Sequence, residues 1–291
     1  MFSRPIVCPL AMALAVLAVA ADAPMPVKVN LSPAYKVGQK FHYSASMNYT
    51  MAQSKTRGDS GYAQKGFGQS FAGQLEADGE VLAVFPNGSP KKISFVVKSI
   101  SANTDVDDIA GLPAAGAKIT VEGGTSGSSI TIDDKPAVGQ AGEAIGKLVF
   151  VGNEKLLELA ALSPKDPVLV GATWPVANFD FLPGAKTPNA KIQASGQMKL
   201  DSVTGTGDSQ TFAVSGQISL GSPATASENS TAETKYTYDL TVPATTTKGT
   251  FKEKYSSSAK TTQVTAGSED APQTLIVTTI ESGKTITVSF L

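Results

Sequence analysis

From Thr211 to Leu220 the chain alternates. Phe212, Val214, Ile218 and Leu220 fall on one side, and Thr211, Ala213, Ser215, Gln217 and Ser219 on the other. A period of two marks a half-buried antiparallel strand. Ile286, Val288 and Phe290 alternate in the same way with Thr285, Thr287 and Ser289. The pattern predicts strands at 37–51, 70–76, 80–85, 91–100, 118–121, 129–133, 191–202, 210–220, 234–242, 248–255 and 273–290.

Turn residues divide these runs. Ala77-Asp78-Gly79 predicts a hairpin between 70–76 and 80–85, and Pro86-Asn87-Gly88-Ser89 a second turn. Glu281-Ser282-Gly283-Lys284 predicts a turn inside the last run. Runs 118–121 and 129–133 pair across the glycine-rich Gly123–Ser128. The polar stretch Ser54–Gly68 reads as a loop or flexible edge, and Pro24, Pro26 and Pro33 as an extended lead-in. Helical character is confined to Gly139–Leu162. Asn153 is its expected cap, Leu156, Leu157 and Leu159–Ala161 its apolar positions, and Ser163-Pro164 its stop. Glu143–Phe150 is a weaker helical turn, because Gly146 interrupts it.

The two halves resemble each other. Val37-Gly38-Gln39-Lys40-Phe41 matches Val170-Gly171-Ala172-Thr173-Trp174, and Gly73–Asp78 matches Gly196–Asp201. Pro90–Ile100 and Ser209–Leu220 share a pattern in the same order. Duplication explains this, as does chance likeness among Gly-, Val- and Thr-rich strands. The stretch Pro167–Trp174, after a short helical linker, and the opening Tyr35–Phe41 resemble strand openings in a group of uncharacterised secreted bacterial proteins with two β-rich lobes. That resemblance implies a distant fold likeness to the open half-barrel of periplasmic lipoprotein carriers. It implies no activity and no site residue. The expected fold is all-β and mostly antiparallel, half-barrel or sandwich-like, in two similar lobes. The expected divisions are a signal peptide over 1–23, an N-terminal β lobe over 24–138, a short helical linker over 139–165 and a C-terminal β lobe over 166–291.

The start of the chain changes the picture further. Arg4, an apolar run from Ile6 to Ala20, and small-residue sites at Ala18-Val19-Ala20 and Ala21-Asp22-Ala23 read as a cleavable secretory signal. The alternative is an uncleaved anchor. Cys8 lies inside the run without a lipoprotein-type triplet before it, so no lipid anchor is expected. Cleavage would leave a periplasmic or extracellular chain with no cysteine, and therefore no disulfide, thiolate nucleophile or cysteine–metal site. No later run is apolar enough for a membrane helix. The 24 basic and 25 acidic residues leave a net charge of −1 with no basic block, which argues against nucleic-acid binding.

Candidate chemistry is sparse. The single histidine, His42, would have to serve any Ser-His-acid triad, and otherwise reads as a strand residue facing solvent or a lobe interface. Asp105-Val106-Asp107-Asp108 resembles a calcium loop until Ile109 and Ala110 occupy positions that need an oxygen ligand and glycine. Asp133-Asp134 reads as a turn, and Gly123–Gly127 lacks the Gly-Lys-Ser/Thr of a phosphate loop. Gly58-Asp59-Ser60-Gly61-Tyr62 lies in polar loop, not in a nucleophile elbow. Asn-x-Ser/Thr triplets at Asn30, Asn48, Asn87 and Asn229 matter only in a glycosylating host. Trp174, the one tryptophan, reads as a core anchor, with stacking on a sugar or lipid as the alternative.

No catalytic residue, metal ligand or cofactor is expected, and the ligand-binding residues are open. The leading reading is a non-catalytic exported protein that binds an apolar small molecule or an envelope protein. A structural or adhesive surface module is the second reading. A hydrolase using two facing carboxylates is the third.

Overall fold

A computed structural model of the chain describes residues 25–32, 34–57, 63–124, 127–149, 159–176, 178–179, 182, 193–222, 230–265 and 273–291. The expected signal segment and Asn153 lie outside them. The elements in chain order are β1 (Lys40–Arg57), β2 (Ala63–Val84), β3 (Pro90–Thr104), β4 (Lys118–Gly124), β5 (Gly127–Ile132), β6 (Lys135–Pro136), α1 (Gly139–Leu148), β7 (Thr173–Pro175), β8 (Gln193–Thr204), β9 (Thr211–Ser222), β10 (Ser230–Pro243), β11 (Gly249–Thr265) and β12 (Thr274–Phe290).

All twelve strands join one antiparallel sheet in the order β6-β5-β4-β3-β2-β1-β12-β11-β10-β9-β8-β7. The fold is thus all-β, a sheet not closed into a barrel and consistent with a half-barrel or sandwich, with the two halves of the chain as its two flanks. Each half is a meander, and the flanks meet where β1 pairs with β12 from Phe41↔Phe290 to Arg57↔Thr274. The outermost strands are only two and three residues long and cover only part of the edges of β5 and β8.

Residues directly opposite on neighbouring strands share a face. One inner row therefore runs Leu75–Ala45–Ile286–Glu253–Leu240–Val214–Leu200 across seven strands. All seven are buried, and Glu253 is the only charged member. Tyr35, also buried, has its hydroxyl pKa raised, first by burial and then by the charge of Glu253. Val29, Leu31, α1 and residues 159–162 supply the second layer of the core through Leu31, Ile145, Leu148, Leu159 and Leu162.

Two predicted turns are absent. Ala77-Asp78-Gly79 lies inside β2, with Gly79 opposite Phe41 on one side and Phe95 on the other. Gly283 lies inside β12, opposite Asn48 and Ser256. Neither glycine has the positive φ of a hairpin turn. Each serves close packing instead: a Cβ on Gly79 would fall under 3.0 Å from three atoms of the Phe41 ring. The predicted loop Ser54–Gly68 is also shorter than expected, because β1 continues to Arg57 and β2 starts at Ala63. The expected weak helix is α1 itself, with Gly146 on its length and Ala141, Ala144, Ile145 and Leu148 buried. Asp133 and Asp134 both have positive φ (47° and 63°), as the tight β5–β6 turn requires.

The two strand openings are geometrically equivalent. Gly38 donates to Val81 O (2.8 Å) and Val81 donates back to Gln39 O (2.9 Å). Gly171 donates to Leu200 O (2.7 Å) and Leu200 donates back to Ala172 O (3.1 Å). Phe41 thus corresponds to Trp174, and Val81 to Leu200. The second sequence match, Gly73–Asp78 with Gly196–Asp201, is four residues out of this register. A slip by an even number leaves the in/out pattern unchanged, so the pattern alone does not resolve it.

Candidate functional site

The inner face is largely closed by its second layer, and hydrogen bonds from the sheet hold that layer at its helix ends. The last carbonyls of a helix lack intrahelical partners. Here Tyr43 Oη, on β1, donates to Leu148 O at 2.6 Å. Lys284 Nζ, on β12, donates to Lys147 O at 2.8 Å. Lys147 in turn sits 4.4 Å over the Phe71 ring. On the other flank Trp174 Nε1 donates to Leu162 O at 2.8 Å, and Ser163 Oγ donates to Leu159 O at 2.9 Å. Ser163 Oγ also accepts from the backbone N–H of Leu31 at 3.1 Å.

Trp174 is therefore a core anchor, 7% exposed. It is also the wall of a cavity of about 290 Å³, completed by Ser163, Pro164, Val168 and Pro175, with the exposed Lys165 and Asp166 beside them. Such a space lies at the small end of ligand pockets, and its walls are chiefly apolar.

A larger space lies on the opposite face. It is an open trough of about 560 Å³ across β3, β2, β1, β12 and β11. Its lining follows from the register. One outer row runs Ser101–Gln74–Ser46–Thr285–Lys254. The next runs Asn103–Ala72–Asn48–Gly283–Ser256. Asp108, bridged to Asn103, stands at the β3 end, and Lys254 at the β11 end. Gly283 makes room for Asn48: a Cβ there would lie 2.5 Å from Asn48 Oδ1.

His42 is on this outer face too, opposite Asp78 on β2 and Ser289 on β12. Its Nδ1 is hydrogen-bonded to Asp78 Oδ1, and Lys98 Nζ lies 2.6 Å from the same oxygen and 3.4 Å from His42 Nδ1. Hydrogen bonds from Lys98 and then His42 hold the Asp78 carboxyl below its ordinary pKa. An Asp–His–Ser row is thereby present in register. Ser289 Oγ, however, is 3.2 Å from Thr250 Oγ1, and the His42 and Asp78 side chains are about half exposed (51% and 47%). The row is a solvated surface network. Among the described residues, no three His, Cys, Asp or Glu side chains are grouped to hold a metal ion. Asp105, Asp107 and Asp108 form an exposed turn, whose backbone closes through Thr104 N to Asp107 O at 3.0 Å.

Sequence reasoning singled out Trp174 and His42 but missed the trough. Its residues are ordinary Ser, Asn, Gln and Thr, spread over five strands. Only the register brings them together.

No family model matches the chain, and its sequence matches no curated protein. No described helix is long and apolar enough to cross a membrane. Among solved structures, the chain is similar to lipovitellin, in a structure titled for lipid–protein interactions. Identity is 7% and the TM-score 0.34, over 85% of this chain and 25% of that one, so the chain spans a quarter of that protein's length. It is similar to a FadL homologue of Pseudomonas aeruginosa at 8% identity and a TM-score of 0.15, over 86% and 90% of the two chains. The likeness in fold is weak and distant.

Proposed function

We propose that this is a non-catalytic exported binding protein that takes a small apolar ligand in the cavity beside Trp174. One observation carries the reading. A space of about 290 Å³ stays open there, walled by the indole, two prolines and a valine. The weak likeness to a lipid-associated protein adds nothing at residue level. A cavity of this size suits a medium-length acyl chain or a compact ring, and the neighbouring Lys165 offers a cation to an acidic end group.

Trp174 supplies its own probe, because it is the only tryptophan in the chain. Titration with decanoic acid is expected to shift or quench its emission with saturation, at a Kd on the order of micromolar. Val168→Phe, which fills the space, is expected to abolish the change while the far-ultraviolet spectrum stays that of a sheet. An unchanged emission across the titration, together with no organic molecule in extracts of the purified protein, would overturn the reading. Export is tested separately, by the mass of the protein recovered from the cell envelope. A mature chain starting after Ala20 or Ala23 is expected.

A further inference from the structure

The geometry points to a second binding site, independent of the apolar cavity: the outer-face trough binds a neutral, hydroxyl-rich chain such as an oligosaccharide. Three observations lead there. First, the trough is long. It spans five adjacent strands, about 19 Å at the usual strand spacing. Second, the two outer rows across its middle carry no charge, and the ammonium of Lys284, which also borders the space from β12, is engaged by Lys147 O. Gln74, Asn48 and Asn103 contribute amides, and Ser46, Ser256 and Thr285 hydroxyls, while the charged Asp108 and Lys254 stand at opposite ends. Amides and hydroxyls each donate and accept, which is what a row of sugar hydroxyls needs, whereas an ionic ligand would leave its charge unmatched along the floor. Third, the floor is shaped. Gly283 lacks the side chain that would collide with Asn48, so the Asn48 amide lies across β12 within reach of a ligand.

An apolar occupant is disfavoured by the same lining, since it would cover amides and hydroxyls without returning their hydrogen bonds to water. A nucleic acid is disfavoured because the lining holds only two lysines, Lys254 and Lys284, and the second donates to Lys147 O.

The test is titration of the full chain, labelled with nitrogen-15, with cellotetraose, chitotetraose and maltotetraose into the millimolar range, followed by amide chemical shifts. At least one sugar is expected to move amides of Ser46–Asn48, Ala72–Gln74 and Gly283–Thr285 together. Gly283→Val is expected to abolish the response. Should that variant fail to fold, Asn48→Ala is the second test, with affinity expected to fall about fivefold, the loss of roughly one hydrogen bond. Decanoic acid should leave these amides unmoved, so that failure here and failure of the apolar site are read separately. Three inert sugars overturn the inference, as do shifts that centre elsewhere or survive unchanged in both variants.

Discussion

Gly79→Ala is expected to destabilise the protein, although glycine inside a strand ordinarily costs about 0.5–1 kcal/mol relative to alanine. The reason is the Phe41 ring. It occupies the space beside Gly79 that a Cβ would need, the cross-strand arrangement by which an aromatic covers a glycine. The ring is 2% exposed and makes edge contacts with Phe95 at 6.1 Å and Phe290 at 6.5 Å between centroids. A methyl group under it must push it out of both contacts. Overpacking of this kind costs about 1–3 kcal/mol, and each aromatic pair adds about 0.5–1.5 kcal/mol beyond its burial. Setting the gain from removing glycine against these losses leaves a net destabilisation of about 2 kcal/mol. At roughly 2–4 °C per kcal/mol for a domain of this size, Tm falls by about 4–8 °C. Thermal and urea unfolding measure it. Two comparisons isolate the cause. In a Phe41→Leu background the outer ring atoms are gone, and the cost of Gly79→Ala should drop by about 1 kcal/mol. At Gly221, where a Cβ would meet nothing within 4 Å, alanine should be neutral or slightly stabilising. A Gly79→Ala protein as stable as the parent would refute the reasoning, as would an equal cost in both backgrounds.

Other consequences can be measured alongside. Gly38→Ala and Gly171→Ala, at φ of 81° and 86° with open space around both, should each cost about 1–2 kcal/mol and match each other, since the two turns share one geometry. Unequal costs in urea unfolding would deny that equivalence. Tyr43→Phe removes the 2.6 Å bond to Leu148 O and should cost about 1–3 kcal/mol, with faster hydrogen exchange in α1 as its local sign. Asp78 has a depressed folded pKa, so its contribution is present above the unfolded carboxylate pKa and lost as pH falls through the folded one. The Tm gap between parent and Asp78→Asn should therefore narrow as the pH falls below the ordinary carboxylate range, and a constant gap would contradict the network.

The alternation of Phe212, Val214, Ile218 and Leu220 against polar neighbours made the strands and their buried face legible. What misled was punctuation. Asp78-Gly79 and Ser282-Gly283 are strong local turn signals, but each is flanked on both sides by paired strands, and ladder bonds with ring packing outweigh a local preference for φ > 0. Helical character was assigned to the correct linker: residues 159–162 are helical and the helix ends at Ser163, as expected, while α1 was underrated because it is short, rich in Gly and Ala, and starts at Gly139 instead of Glu143. Trp174 was readable as an anchor from its setting beside Gly and Pro. The trough was not readable, since nothing local connects Gln74 with Thr285 or Asn48 with Ser256. Their neighbourhood exists only once β1 has paired with β12.

That pairing has a temporal consequence. The middle of the sheet is a seam between strands far apart in the chain, with Phe41 opposite Phe290. A ribosome or export channel delivers β1 well before β12, so β1 waits with one bare edge until the last strand emerges. Each flank can form its meander from local contacts, but joining them needs one long loop closure, which makes the final step slow. During that interval, two copies can exchange flanks and pair β1 of one with β12 of the other, reproducing every native contact across the seam. Refolding at high protein concentration should therefore yield a flank-swapped dimer whose share grows with concentration, while dilute refolding should yield the unswapped form.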